Sequence, residues 1–252
     1  MTLPAADATL SGVYPAKSVV TAQRFAQGMT FDQYVAYTGT PENLTREAGW
    51  WLGTTRHDFS RLLRERYERV RLSDAQFAAI RWLAAQPDGP ANVLVISEEW
   101  SSDCRRDVPM VARLAEAGDL TLRIFPRDGR KLGRGPRADP AESPNADIVN
   151  AFLNVKDGQT FQTVPTVVFL TRELEPLYRY VEFPAIYHKV ELAKAMQAHA
   201  GVDKPGENRE QAWDRFIRDW GALQDSPFWR VWTSAAVDEM ISALHERLVV
   251  GP

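Results

Sequence analysis

Near the middle of the chain runs Glu98-Glu99-Trp100-Ser101-Ser102-Asp103-Cys104-Arg105-Arg106, and Cys104 is the only cysteine among 252 residues. The segment CRRDVPMVARLAEAG that begins with it reads as a helix closed by Gly118, so the thiol falls in a first helical turn. There a helix dipole and backbone amides can hold a cysteine as thiolate, the form that attacks disulfides. Ser101 can cap the same helix by accepting an amide hydrogen bond, but its hydroxyl is hardly ionised near neutral pH and makes no stable disulfide. A lone cysteine also excludes an intramolecular disulfide. Three readings of Cys104 stand: a thiol kept by packing, a working single thiol, or what is left of a dithiol pair in which serine, natural or introduced, has replaced the partner.

The elements that must position this turn change character at about Pro90. Before it the chain reads as helical: Thr30 with Gln33 and Ser73 with Gln76 are capping-box signals, and DFSRLLRERYERVR is an amphipathic pattern. QPDGPAN then breaks the helical period. From Asn92, NVLVIS, LTLRIF, TVPTVVFL and LEPLYRYV read as strands. CRRDVPMVARLAEAG, NADIVNAFLNVKDG and AIYHKVELAKAMQAHAG read as helices. The order β-α-β-α-β-β-α implies a central mixed sheet with helices packed on it. The expected organisation is a helical extension over 1–90, an α/β domain over 91–200 and a Trp-rich helical extension over 201–252. In the last of these, Trp213, Phe216, Ile217, Trp220 and Leu223 fall on one side of a helix. A final helix carries Trp229, Trp232, Val237, Ile241, Leu244 and Leu248. These helices dock on the sheet domain or on a second copy of the chain, as a homodimer.

The α/β order resembles the thioredoxin family, and so do the residues of the turn. Trp100 precedes it, Ser101 to Cys104 fills the C-x-x-C window, and Pro109 stands where thioredoxins carry a helix-kinking proline. Val164-Pro165-Thr166 resembles the family's cis-proline signature, which faces the active-site turn. More narrowly, EEWSSDCRRDVPMVARLAE followed by LRIFPRD looks like a bacterial branch with a W-C-x-D-C turn and a helical N-terminal extension. The resemblance covers roughly residues 91 to 200 and implies a three-layer α/β/α sandwich with extra helices at both termini. It implies thiol-disulfide exchange on a protein or low-molecular-weight thiol, without a cofactor. Ser101 takes the nucleophile position and Cys104 the resolving one, while Trp100, Ser102, Asp103, Val164, Pro165 and Thr166 form the turn and the docking edge. With serine in the first position, dithiol cycling should be abolished and binding of a peptide or small thiol should remain. The family's buried aspartate, six residues before the first cysteine, is Val95 here. Glu98 and Glu99 are read as solvated charges rather than bases.

Two alternatives stay open beside this one. The first is a non-catalytic interaction module on a thioredoxin scaffold. The second is a single-thiol peroxidase, since S-x-x-C also resembles the T-x-x-C turn of peroxiredoxins and Arg105 and Arg106 follow at once. The segment PRDGRKLGRGPRADPAESPN clusters Arg127, Arg130, Lys131, Arg134 and Arg137 and reads as a solvated insertion, or as an anion or acidic-partner contact beside the site, where Arg105, Arg106 and Arg127 are the candidate anion contacts.

The bulk properties narrow the partners. Net charge is -3 and the sequence pI about 5.9, so no polycationic signature points to nucleic acid or anionic lipid. No run approaches the roughly 20 apolar residues of a membrane span. MTLPAADATLSG lacks the features of a secretion signal, and a cytoplasmic location is expected. Four scattered histidines and one cysteine lack the paired spacing of a zinc site, so no metal is expected.

Overall fold

The computed structural model describes residues 19–48, 56–185 and 226–251, with isolated positions between 206 and 223. The helix expected over 185–201, the stripe of Trp213, Phe216, Ile217 and Trp220, and the side chain of Trp229 lie outside the described residues.

Four strands form the central sheet: β1 (Asn92–Ser97), β2 (Thr121–Pro126), β5 (Thr166–Leu170) and β6 (Pro176–Val181), in the order β2-β1-β5-β6. The β1–β2 pair is parallel, while β5 is antiparallel to both β1 and β6, so the sheet is mixed. Both central strands are near-continuous apolar runs, NVLVIS and TVVFL, as strands covered on two faces must be. Between β1 and β2 the chain crosses over through helix α6 (Ser102–Gly118), the connection a parallel pair requires. The architecture is the predicted α/β sandwich: a mixed sheet clothed by helices.

The segment before β1 supplies α1 (Ala22–Ala26), α2 (Phe31–Thr38), α3 (Pro41–Leu44), α4 (Ser60–Arg69) and α5 (Asp74–Ala84). Both capping boxes form: Thr30 accepts from the Gln33 amide and Ser73 from the Gln76 amide, and each glutamine side chain accepts in return from the cap amide. The last described helix, α8 (Pro227–Val249), packs on α5, α6 and β6, with Trp232, Val237 and Leu244 buried. As α4 and α5 also lie on α6, every α6 residue from Asp103 to Ala115 is buried except Arg113. Four charged side chains are buried with it, and that fact shapes the site.

Three local expectations need correction. The helix read across NADIVNAFLNVKDG is only α7 (Ala146–Ala151), after which β3 (Asn154–Lys156) and β4 (Gln159–Phe161) form a hairpin. Its turn is Asp157-Gly158, with φ of 51° and 73°, the two-residue turn that matches strand twist. Gly118 does not close α6: Asp119 does, in the left-handed conformation at φ 55°, while a Cβ on Gly118 would stand 2.9 Å from Ile80 Cγ1 of α5. The N-terminal segment, read as helical, also bridges the sheet, where Met29 and Ile124 exchange both backbone hydrogen bonds. Among the described residues no helix is long and apolar enough to cross a membrane.

That bridge depends on Gly28, whose missing side chain leaves room for the Phe125 ring: a Cβ would meet ring carbons at 2.6 Å and Arg123 Cβ at 2.7 Å. Gly28→Ala should therefore destabilise the fold by about 1–3 kcal/mol through overpacking, read as a lower urea midpoint.

Candidate functional site

The turn begins where β1 ends. Thr166, the first residue of β5, pairs with Ile96, which sets Pro165 level with Ser97 at the mouth of the turn. The Val164–Pro165 peptide bond is cis. The two motifs, some sixty residues apart in sequence, thus lie on adjacent strands.

Ser101 is the N-cap of α6, and its Oγ accepts from the Cys104 amide at 3.5 Å. Cys104 is 1% exposed, and its Sγ accepts from the Glu98 amide at 3.4 Å. Burial pushes the thiol up to about 12, against the opposing pull of the Glu98 amide and the Ser97 and Ser101 hydroxyls. A helix N-terminus favours an anion by about 0.3–1 kcal/mol at an exposed site. Desolvation wins here, and Cys104 is a neutral thiol at physiological pH. Ser97 in turn shares a hydrogen bond of 2.9 Å with Tyr34 of α2, while Val95 is fully buried in the strand and offers no acid-base group.

Contrary to the solvated reading, Glu98 and Glu99 are 0% and 1% exposed. They are neutralised by residues the sequence did not single out. Arg56 Nη1 donates to Glu98 Oε2 at 2.6 Å and to both Glu99 oxygens at 2.8 and 2.9 Å. Arg46 Nη2 donates to Glu98 Oε1 at 2.8 Å, and Asn43 adds a hydrogen bond of 3.0 Å to Glu99. Asp128, at the end of β2, places its amide 2.6 Å from Glu98 Oε1 and accepts from Trp100 Nε1 at 3.0 Å. Arg127 holds the other Asp128 oxygen at 2.8 Å and lies 5.2 Å from the centre of the Trp100 ring. Three carboxylates meet three guanidiniums with the polar groups between them engaged, as buried charge demands.

The arginines expected to meet an external anion are committed internally. Arg105 Nη1 donates to the carbonyls of Glu99 and Trp100 at 2.9 and 2.8 Å, and its guanidinium lies 4.2 Å from the centre of the Phe59 ring. Arg106 holds Asp107 with two bonds of 2.5 and 2.6 Å, reaches Asp103 at 3.2 Å and donates to the Glu182 carbonyl. Arg127 also donates to the Gln162 carbonyl. All three are buried, and a side chain with its donors spent in this way does not face a solvent anion. The loop that follows is likewise tethered rather than free: Glu47 accepts from the Leu132 amide and from Arg134, and Gly133 donates to Asp128. Arg130, Lys131, Arg134 and Arg137 keep exposed side chains.

Of the remaining turn residues, Trp100 and Asp103 are buried and Ser102 half-buried. Val164 is 5% and Thr166 1% exposed, with Thr166 Oγ1 donating to the Thr163 carbonyl at 2.9 Å. Tyr34, Asn43, Arg46, Arg56 and Asp128 are the site residues that sequence reasoning missed. The paired acids at the end of an apolar strand were the one legible hint, because buried carboxylates require cations from somewhere.

Two measurements check this arrangement. Arg56→Met leaves Glu98 and Glu99 without a shared cation and should cost about 3–5 kcal/mol of folding stability by denaturant titration. Cys104 should react with a disulfide-based thiol reagent at neutral pH at least about 100-fold more slowly in the native protein than in guanidinium, a rate that follows thiolate fraction and access. The folded state keeps the thiol proton that the unfolded chain gives up near pH 9, so stability should also fall as pH rises from about 9 toward 12.

Comparison with known proteins bears on the same stretch. Residues 53–132 match a family model described as thioredoxin. No curated protein matches the sequence. Among solved structures, an HIV epitope scaffold is similar at 16% identity, covering 90% of this chain and 98% of that one with a TM-score of 0.45. A protein of unknown function from Pseudomonas aeruginosa is similar at 18% identity, covering 81% and 99% with a TM-score of 0.43. β1, the Trp100–Cys104 turn, α6 and β2 all lie inside the matched residues, so the part of the chain that carries the turn is the part similar to the thioredoxin family.

Proposed function

We propose that this is a thioredoxin-family protein that works by binding rather than by electron transfer, a non-cycling interaction module on a scaffold made for thiol-disulfide exchange. The observation that carries the reading is the state of the turn: a serine cap at the nucleophile position beside a neutral thiol that is 1% exposed. Dithiol exchange needs an exposed thiolate to attack and a second thiol to resolve the mixed disulfide, and Ser101 removes the first of these. Single-thiol peroxidase chemistry is less well supported, because Arg105 and Arg106 are spent on backbone carbonyls and carboxylates instead of on a thiolate.

A docking role for the proline edge has one observation in its favour. Among the described residues, neither the amide nor the carbonyl of Val164 makes a hydrogen bond, which is what pairing with an extended peptide or a small thiol requires.

Insulin reduction with dithiothreitol, compared with the reagent alone, tests the main reading. The protein as it stands should add no rate, and Ser101→Cys should gain measurable turnover because it restores a dithiol. Appreciable turnover before the substitution overturns the proposal. The docking edge has its own readout: Ser101→Cys combined with Cys104→Ser should accumulate a mixed disulfide with oxidised glutathione, whereas an unmodified thiol retires that edge.

A further inference from the structure

A cavity of about 340 Å³ lies away from the thiol turn, between the end of α4, the connection to α5, and α8. Five arginines line it: Arg66, Arg69, Arg71, Arg106 and Arg230. Among the described residues no acidic side chain does so, in a chain whose net charge is -3. The rest of the described lining is the Gln76 carboxamide, the apolar Val70, Leu72 and Val237, and the hydroxylic Thr233 and Ser234.

The charge on offer can be counted. Arg106 is neutralised by Asp107 and Asp103, so it contributes shape more than field. Among the described residues Arg69 pairs with Glu65 alone, at 3.9 Å, with 73% of its side chain exposed. Arg71 donates to the carbonyls of Glu68 and Val70, which occupy its donors without cancelling its charge. Arg230 is exposed and makes no ion pair among the described residues. Arg66 lies close to Arg105 and, after burial itself, is the main reason that guanidinium is lowered to about 10.

We propose that this cavity binds a small organic phosphate, its dianionic head among Arg69, Arg71 and Arg230 and its apolar body against Val70, Leu72 and Val237. A phosphate monoester carries about 1.5 to 2 negative charges near neutral pH and several acceptor oxygens, which suits several guanidiniums better than one carboxylate does. The volume falls at the lower end of the roughly 300–1,000 Å³ of small-molecule pockets, and apolar walls with a few convergent polar groups are their usual make-up. A bare inorganic ion would leave those walls uncovered.

Calorimetry on the full chain tests this with 1-naphthyl phosphate, 1-naphthol and inorganic phosphate. The ester should bind at one site, and both fragments at least about 10-fold more weakly, since each lacks one half of the recognition. Arg69→Gln and Arg230→Gln, both exposed and safe for folding, should each weaken the ester by about 10-fold or more, while Arg130→Gln, an equal change of charge elsewhere, leaves it unaltered. Equal loss with Arg130→Gln, or absence of saturable binding, overturns the site. Vesicles containing phosphatidic acid present the same head group on a surface and should not sediment the protein. Co-sedimentation that Arg69→Gln and Arg230→Gln abolish would make the ligand a membrane and refute the small-molecule assignment.

Discussion

Two carboxylates at the dry end of β1 constrain everything around them. Glu98 and Glu99 leave water completely, and the cost of burying an unpaired carboxylate, several kcal/mol per ion even after relaxation, exceeds what most single contacts contribute. The sheet cannot neutralise them alone, because β1 and β5 present apolar side chains and the nearest polar element, the end of β2, brings a third carboxylate in Asp128. The cations must come from outside the α/β unit, and they come from the N-terminal segment as Arg46 and Arg56. That segment is therefore part of the core's electrostatics. Its other anchors, the Met29–Ile124 bridge and the Tyr34–Ser97 hydrogen bond, fix it along the same strand ends.

The same constraint sets the chemistry of the turn. Once Arg56, Phe59 and Arg105 close over residues 98–100, the start of α6 loses the solvent that a thiolate needs. The helix dipole and the Glu98 amide still point at Cys104, but they act on a group whose ionisation burial has already made unfavourable. Ser101 suits this environment: it caps the helix, carries no charge and needs no proton acceptor. The absence of a carboxylate at Val95 is consistent with that state, since a thiol that never gives up its proton requires no base beneath it.

Much of this was legible in the residues. Apolar strand runs, capping boxes and the Trp100 and Pro165 motifs report local or short-range physics, and these parts of the fold could be read in order. Failures came where meaning depended on residues distant in sequence. Glu98 and Glu99 look like surface charges until Arg46 and Arg56 are seen above them, and no spacing links the two pairs. Arg105, Arg106 and Arg127 look like free cations until the carbonyls and carboxylates that occupy them are placed. Gly118 reads as a helix stop by local rules, whereas its task is to let α5 approach α6. The Asp157–Gly158 hairpin is the exception: its signal was local and was hidden by an apparent helical run before it.

The arginines accordingly fall into two populations that composition cannot separate. Arg46, Arg56, Arg105, Arg106 and Arg127 are buried with their donors spent on carboxylates and carbonyls, so their charge is cancelled or shielded within the molecule. Arg69, Arg71 and Arg230 stand exposed around a cavity that no described acid lines, so their charge is directed outward. A net charge of -3 averages the two and conceals both. The buried group holds the N-terminal helices to the sheet. The exposed group sits between α4, which lies inside the matched residues, and α8, which lies outside them, so any recognition it performs takes place away from the Trp100–Cys104 turn.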